Sequence, residues 1–320
     1  MSIMSAFKAY GLSFDLPAPC QADDIDGIDV YLQSALELFM ALEEKSFSLV
    51  ILRVNHIKCH SVPLASKETS LPGSTFATAG ASAGSIFDCE QYKIEIDPLL
   101  LCSAGGKRTS GVTFAVMYCC RWCGQSSFDR PEAVLAKQIN TLDVVTKGRA
   151  LLLVSGSSPD LSSEKPLNRL SDLLSGKFMY QDEGIDKELN LRPRWERENS
   201  ALPLGVIIHY TSSLGNKSDS AISTQNAKLS LSLGAVLVDA NFILQLNDSN
   251  YLDKIYREVL QYGDKAYLIK QEQVYVFIEN GAALYESIAD DSNGQSRVPN
   301  KAIFDFGDYD IREILKAIKG

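Results

Sequence analysis

The sequence predicts an α+β fold: a mixed, mostly antiparallel sheet with helices packed against it and long polar loops inserted between the elements. Three observations lead there. Apolar runs rich in β-branched residues recur along the chain, amphipathic segments of helical period stand between them, and a Gly-Gly cluster between two apolar runs reads as a hairpin turn. With 320 residues, 45% of them hydrophobic and 22% charged, the chain can bury one large core or two smaller ones.

The first expected helix starts at Asp29, in DVYLQSALELFMALEEK, where Leu32, Leu36, Phe39 and Leu42 recur at helical spacing while the glutamates and Lys45 stay in water. FSLVILRVNHIKC from Phe47 and EQYKIEID from Glu90 read as strands. Between them, LASKETSLPGSTFATAGASAGS has too few bulky apolar residues to pack by itself and predicts a long mobile loop. YKIEIDPLLLC and SGVTFAVMYC flank SAGGKRTS, so a hairpin is expected with Lys107 and Arg108 at its tip. RPEAVLAKQINTLDVV follows as a helix with Pro131 just inside its start, where a missing N–H costs little. ALLLVSGSS from Ala150 is a buried strand, and EKPLNRLSDLLSG is a helix ended by Gly176.

QDEGIDKELNLRPRWEREN is charged and irregular and marks a boundary or an excursion from the core. The expected organisation is therefore an α+β domain over 1–180, a connector or insertion over 181–200, and a second α+β portion over 201–320, separate or part of the same domain. In the last portion ALPLGVIIHYTSS is a strand, LGNKSDSAISTQNAK a polar stretch, and LSLSLGAVLVDANFILQL two strands or one bent at Gly234. YLDKIYREVLQY reads as a helix and KAYLIKQEQVYVFIEN as a hairpin or strand pair. DIREILKAIK closes the chain as a helix with Ile311, Ile314, Leu315 and Ile318 on one side.

A formal charge of −9 argues against a broadly basic surface, so a nucleic-acid contact requires a local patch. Seven irregularly spaced cysteines do not form a secreted disulfide framework. The N-terminus lacks an apolar signal core, and no run approaches the roughly 18 apolar residues of a membrane span. A soluble cytoplasmic protein with no membrane partner is expected.

Cys120-x-x-Cys123-Gly in YCCRWCG has the spacing of half a zinc site, and His56-x-x-Cys59 is the candidate second half; buried, inert thiols are the alternative. Apart from that zinc, no cofactor is expected. CSAGGKRTSG fails as a phosphate loop because Arg108 stands where the magnesium-binding Ser or Thr belongs and Leu101 where the first glycine belongs. In VSGSSPD, Asp160 replaces the last glycine of a hydrolase elbow, and His209 lies in an apolar strand. Acids at 23, 24, 26 and 29 read as helix-capping groups; together with Glu95 and Asp97 on a metal they are the basis of an alternative, a metal-dependent nucleotide-processing enzyme. LNLRPRWERE sets Arg192, Arg194 and Arg197 around Trp195, guanidinium groups for phosphates beside a ring on which a base could stack. Lys107, Arg108, Lys147 and Arg149 could join them in a nucleic-acid-binding face. The competing reading is a solvated loop whose arginines pair with neighbouring acids.

Taken in order, FSLVILRVNHIKCH, YKIEIDPLLLC, ALLLVSGSS, ALPLGVIIHY and LSLSLGAVLV resemble the strand blocks of the ferredoxin-like backbone and cap (RAMP-type) subunits of class 1 CRISPR surveillance complexes, across most of the chain. That resemblance implies a ferredoxin-like core with long loop insertions and a non-catalytic, guide-RNA-binding subunit of an antiviral defence complex. Its finger-like projections would be the loop from Gly73 to Gly84, the basic hairpin tip or LGNKSDSAISTQNAK. The expected function is accordingly an assembly subunit that binds single-stranded RNA or the protein subunits of a larger complex, with no catalytic residues. A phage or viral structural protein is a further alternative.

Overall fold

The computed structural model describes residues 9–16, 20–21, 25–54, 93–94, 96–118, 132–155, 165–182, 185–197, 201–209, 229–240, 267–268, 273–289 and 301–320. In chain order the elements are β1 (Ala9–Asp15), β2 (Cys20–Gln21), α1 (Ile25–Glu44), β3 (Phe47–Val54), β4 (Lys93–Ile94), α2 (Pro98–Arg108), β5 (Thr113–Tyr118), α3 (Glu132–Val145), β6 (Ala150–Ser155) and α4 (Lys165–Leu174). They continue with β7 (Lys177–Asp182), β8 (Ile185–Asn190), β9 (Leu202–His209), β10 (Leu229–Asp239), β11 (Tyr267–Leu268), β12 (Val274–Glu279), α5 (Ala282–Ala289), β13 (Lys301–Asp305) and α6 (Ile311–Lys319).

Strands β1, β3, β5, β6, β9, β10, β12 and β13 pair in that order, every pair parallel, and β13 pairs back to β1. The sheet is a closed barrel. Successive partners run from Asp239 and Glu279 through Asp305, Ser13, Ile51, Ala115 and Leu151 to the start of β9, and return to β10 near Leu231. That offset of about eight residues is the shear of an eight-stranded (β/α) barrel.

Alternation along each strand divides the side chains between two cores. Leu49, Ile51, Ala115, Leu151, Leu153, Ile207, Leu233, Ala235, Phe277 and Ile303 pack together inside the barrel. Leu12, Phe14, Val50, Leu52, Phe114, Val116, Leu152, Val206, Val236, Ile278 and Phe304 face outward and pack with helix residues such as Phe39, Leu42, Ile139, Leu173 and Ile314. Both faces are buried, which is why these strands read as continuous apolar runs.

The expected mostly antiparallel, ferredoxin-like sheet is corrected by this topology. The hairpin expected around SAGGKRTS is also replaced, because Pro98–Arg108 is helix α2, capped by Asp97, whose Oδ1 accepts from Leu99 N at 2.8 Å and Leu100 N at 3.4 Å. The glycines that suggested a turn are there for close packing. A Cβ on Gly105 would lie 2.5 Å from Phe39 and one on Gly106 would lie 2.5 Å from Thr146. The segment 265–280 is no hairpin either, since β11 and β12 both run parallel to β10. Antiparallel pairing among the described residues is confined to β2 with β4 and β7 with β8. Strands β1 and β13 and helix α5 were not anticipated. The expected loop at 64–85 and helix at 251–262 lie outside the described residues.

Candidate functional site

All eight barrel strands point the same way, so their carboxyl ends gather at one mouth. In barrels of this kind chemistry is placed at that end and stability at the other. Alternation puts Asp15, Arg53, Met117, Leu237, Asp239, Glu279 and Asp305 at inward positions near the mouth, above the apolar plug. Arg53 Nε donates to Asp15 Oδ1 at 2.5 Å, and Nη1 reaches Asp305 Oδ2 at 2.9 Å. The Asp305 side chain is only 4% exposed, against 12% for Asp15 and 18% for Arg53.

Backbone contacts fix this cluster. Asp15 N donates to Gly307 O at 2.7 Å, Phe306 N to Ser13 O at 2.8 Å, and Leu16 N to Arg53 O at 2.9 Å. Gly307 turns the chain with φ of 59°, a left-handed conformation that suits glycine, and its N–H donates to Asp305 Oδ1 at 3.2 Å. Burial pushes the Asp305 carboxyl above the usual carboxylate range, with Asp15 adding to the rise while Arg53 and the Gly307 N–H work against it. The Ser13 hydroxyl is buried close enough to ease that charge but has no well-aligned hydrogen bond among the described residues. The result is a partly buried ion cluster over an apolar floor.

The cationic residues anticipated as a nucleic-acid face come together at the opposite, amino-terminal end. Lys107 and Arg108 end α2, Lys147 precedes β6, and Arg192, Arg194, Trp195 and Arg197 precede β9. Arg149 donates to the carbonyls of Gly106, Thr109, Val112 and Thr146 at 2.6–3.0 Å, closing the carboxyl end of α2. Arg197 grips the buried Asp143 with Nη2 and Nε at 2.6 and 3.0 Å, and reaches Ala150 O and Ser232 Oγ. Arg194 donates to Ser175 O, and the half-exposed Trp195 lies against Gly148, where a Cβ would come 2.6 Å from its Nε1. Lys107, Arg108, Lys147 and Arg192 are exposed.

The zinc candidates His56, Cys59, Cys120 and Cys123 lie outside the described residues, as do Asp23, Asp24 and Glu95. Asp97 is the α2 cap, and α1 begins at Ile25, ahead of the start expected at Asp29. Among the described residues no group of three or more His, Cys, Asp and Glu could hold a metal. Asp15, Arg53 and Asp305 were missed. The available signal was positional, an acid closing each of the short alternating runs AYGLSFD and KAIFD.

No protein-family model and no curated protein matches the sequence. Among solved structures, the chain is similar to monooxygenase RslO1 from Streptomyces bottropensis, with 11% identity, TM-score 0.51, and 97% of this chain and 96% of that one covered. Weaker likenesses are to the oxygenating constituent of 3,6-diketocamphane monooxygenase from the CAM plasmid of Pseudomonas putida in complex with FMN (12%, TM-score 0.44, 88% and 71% covered) and to coenzyme F420-dependent tetrahydromethanopterin reductase from Methanopyrus kandleri (10%, TM-score 0.43, 89% and 73% covered). The closed parallel barrel, shared with RslO1, corrects the resemblance to CRISPR RAMP-type subunits, and with it fall the expectations of a non-catalytic RNA-binding role, of a chain that is no enzyme, and of no organic cofactor. What the chain shares with RslO1 is the barrel fold, from one end of the sequence to the other.

Proposed function

We propose that the chain is an oxidoreductase of monooxygenase type that works at the carboxyl-terminal mouth of its barrel with a flavin or deazaflavin. The observation that carries this reading is the partly buried Asp15–Arg53–Asp305 cluster at the mouth of a closed parallel barrel. Full-length likeness to a barrel described as a monooxygenase supports it by analogy. Side chains alone do not carry electrons to oxygen, so the reaction needs a redox group, and a flavin supplies hydride acceptance and oxygen activation when bound.

The described residues fit the ring part of such a group. Met117 and Leu237 are partly open above the plug and offer an apolar floor for a flat heterocycle. They do not form a phosphate cradle. The inward-facing cation described at the mouth, Arg53, is held by two carboxylates, and Asp239 and Glu279 add negative charge at the rim. On this reading Arg53 orients Asp15 and Asp305, and the barrel plug keeps water from below. Among the described residues no helix is long and apolar enough to cross a membrane; the reading places the enzyme in the cytoplasm.

Titration of the purified full chain with FMN and separately with coenzyme F420, followed by cofactor fluorescence, tests the proposal. Saturable binding of one of them is expected, weakened at least about tenfold by Leu237→Glu, which sets a charge under the ring. Binding of neither cofactor, or binding indifferent to Leu237→Glu, overturns it.

A further inference from the structure

We propose that the β7–β8 hairpin is an arm through which two copies of this chain pair, with β7 lying antiparallel to β7 of the second copy across a two-fold axis at Met179. The inference does not depend on the function proposed above.

The arm leaves the barrel where α4 stops. Gly176 turns the chain with φ of 86°, and Leu191 N donates to Gly176 O at 2.9 Å, so the base of the hairpin is pinned to the end of that helix. Beyond the base, β7 and β8 pair only with each other among the described residues, from Lys177 with Asn190 to Asp182 with Ile185, and the main neighbour of β7 outside the hairpin is α4. Met179 and Ile185 are each 61% exposed, one on each strand of the arm. A two-stranded ribbon is marginal in water and gains from a further strand, and an edge strand offers a row of N–H and C=O groups to receive one.

The chemistry of the two edges decides which one receives it. Only residues two apart turn their backbone groups to the same edge, so two identical strands paired antiparallel across a two-fold axis set one residue opposite its own copy. In the middle of β8 that residue would be Asp186, Lys187 or Glu188, and each choice brings like charges face to face. The β8 edge is thereby closed to self-pairing. On β7, an axis at Met179 sets Met179 opposite Met179, Phe178 opposite Tyr180 and Lys177 opposite Gln181, and no like charges meet. Apolar and aromatic cross-strand pairs of this kind stabilise a sheet. The edge matches itself, which is why the partner is a second copy rather than an unlike chain. The product is a four-stranded antiparallel sheet with β8 at both outer edges, where the charges stop further addition and assembly ends at two copies.

Sedimentation velocity of the full chain between about 1 and about 100 μM reads the pairing, and a monomer–dimer equilibrium is expected in that range. Met179→Lys and Met179→Glu each set like charges on the axis and should leave only monomers, with circular dichroism checking the fold at this solvent-exposed position. An equimolar mixture of the two variants should recover a dimer of unlike copies, which requires the two positions to meet. A wild type that stays monomeric at about 100 μM overturns the proposal, as does dimerisation that survives either substitution alone, or a mixture that stays monomeric. Should either variant fail to fold, hydrogen exchange of the wild type decides: the β7 amides must lose protection on dilution to monomer. Protection that ignores concentration would mean that another stretch of the same chain takes the edge, and it overturns the proposal too.

Discussion

Glu43 gathers three donors on one oxygen: Ser110 N at 2.7 Å, Ser110 Oγ at 2.9 Å and Gly111 N at 2.5 Å. In doing so it ties the end of α1 to the turn that launches β5. Partial burial raises its carboxyl, but the hydrogen bonds from Gly111 and Ser110 and the charge of Arg149 outweigh that and leave it below the usual range. A depressed acid contributes stability that is present above its unfolded pKa and is lost as pH falls through the folded one. The wild type should therefore lose thermal stability relative to Glu43→Gln on acidification through that window; midpoints that run parallel at all pH values would refute the assignment. Cys102 makes a different point. Burial pushes its thiol far up, so it is a packing residue rather than a nucleophile. Charged groups at this scale were visible in the sequence, but their partners were not: Arg53 and Asp15 are 38 positions apart, and Arg197 and Asp143 are 54 apart.

At the scale of elements, α2 is the instructive case. Its glycines argue for a turn on propensity alone, yet Asp97, Pro98 and the buried Leu99, Leu101 and Cys102 argue for a helix, and packing decides between them. Small residues let α2 lie close to Phe39, Phe114 and Thr146, a gain that offsets their poor helix propensity. Replacing Asp97 by Ala leaves two N–H groups without their cap and should cost about 1 kcal/mol, read from urea unfolding midpoints at unchanged slope. A variant of wild-type stability would mean that water satisfies those donors equally well. The expectations for α1, α3, α4 and α6 and for β3, β5, β6 and β9 were legible because each needs only local periodicity. Strands β1 and β13 are short runs broken by Gly11, Ser13 and acids, and local pattern does not announce them.

For the whole molecule, closure joins the two ends of the chain. β13 pairs with β1, and α6 packs its apolar stripe, Ile311, Ile314 and Ile318, against the barrel and α1, with Lys319 reaching Glu37 at 3.4 Å. Ile314 is fully buried, so Ile314→Ala should cost about 3 kcal/mol. Since α6 packs on α1, amide exchange in α1 should quicken along with exchange in α6; loosening restricted to α6 would show that α1 stands without it.

By itself the sequence determined which stretches are apolar on one face or on both, where the amphipathic helices run, and that no broad basic surface exists. It left open which strand neighbours which, because an apolar run buried on both faces satisfies an antiparallel layer and a parallel barrel alike until its partners are chosen. Tertiary structure alone decided that choice, and with it the site. Asp15, Arg53 and Asp305 meet only because closure brings the first and last barrel strands side by side, within reach of the Arg53 guanidinium on the next strand.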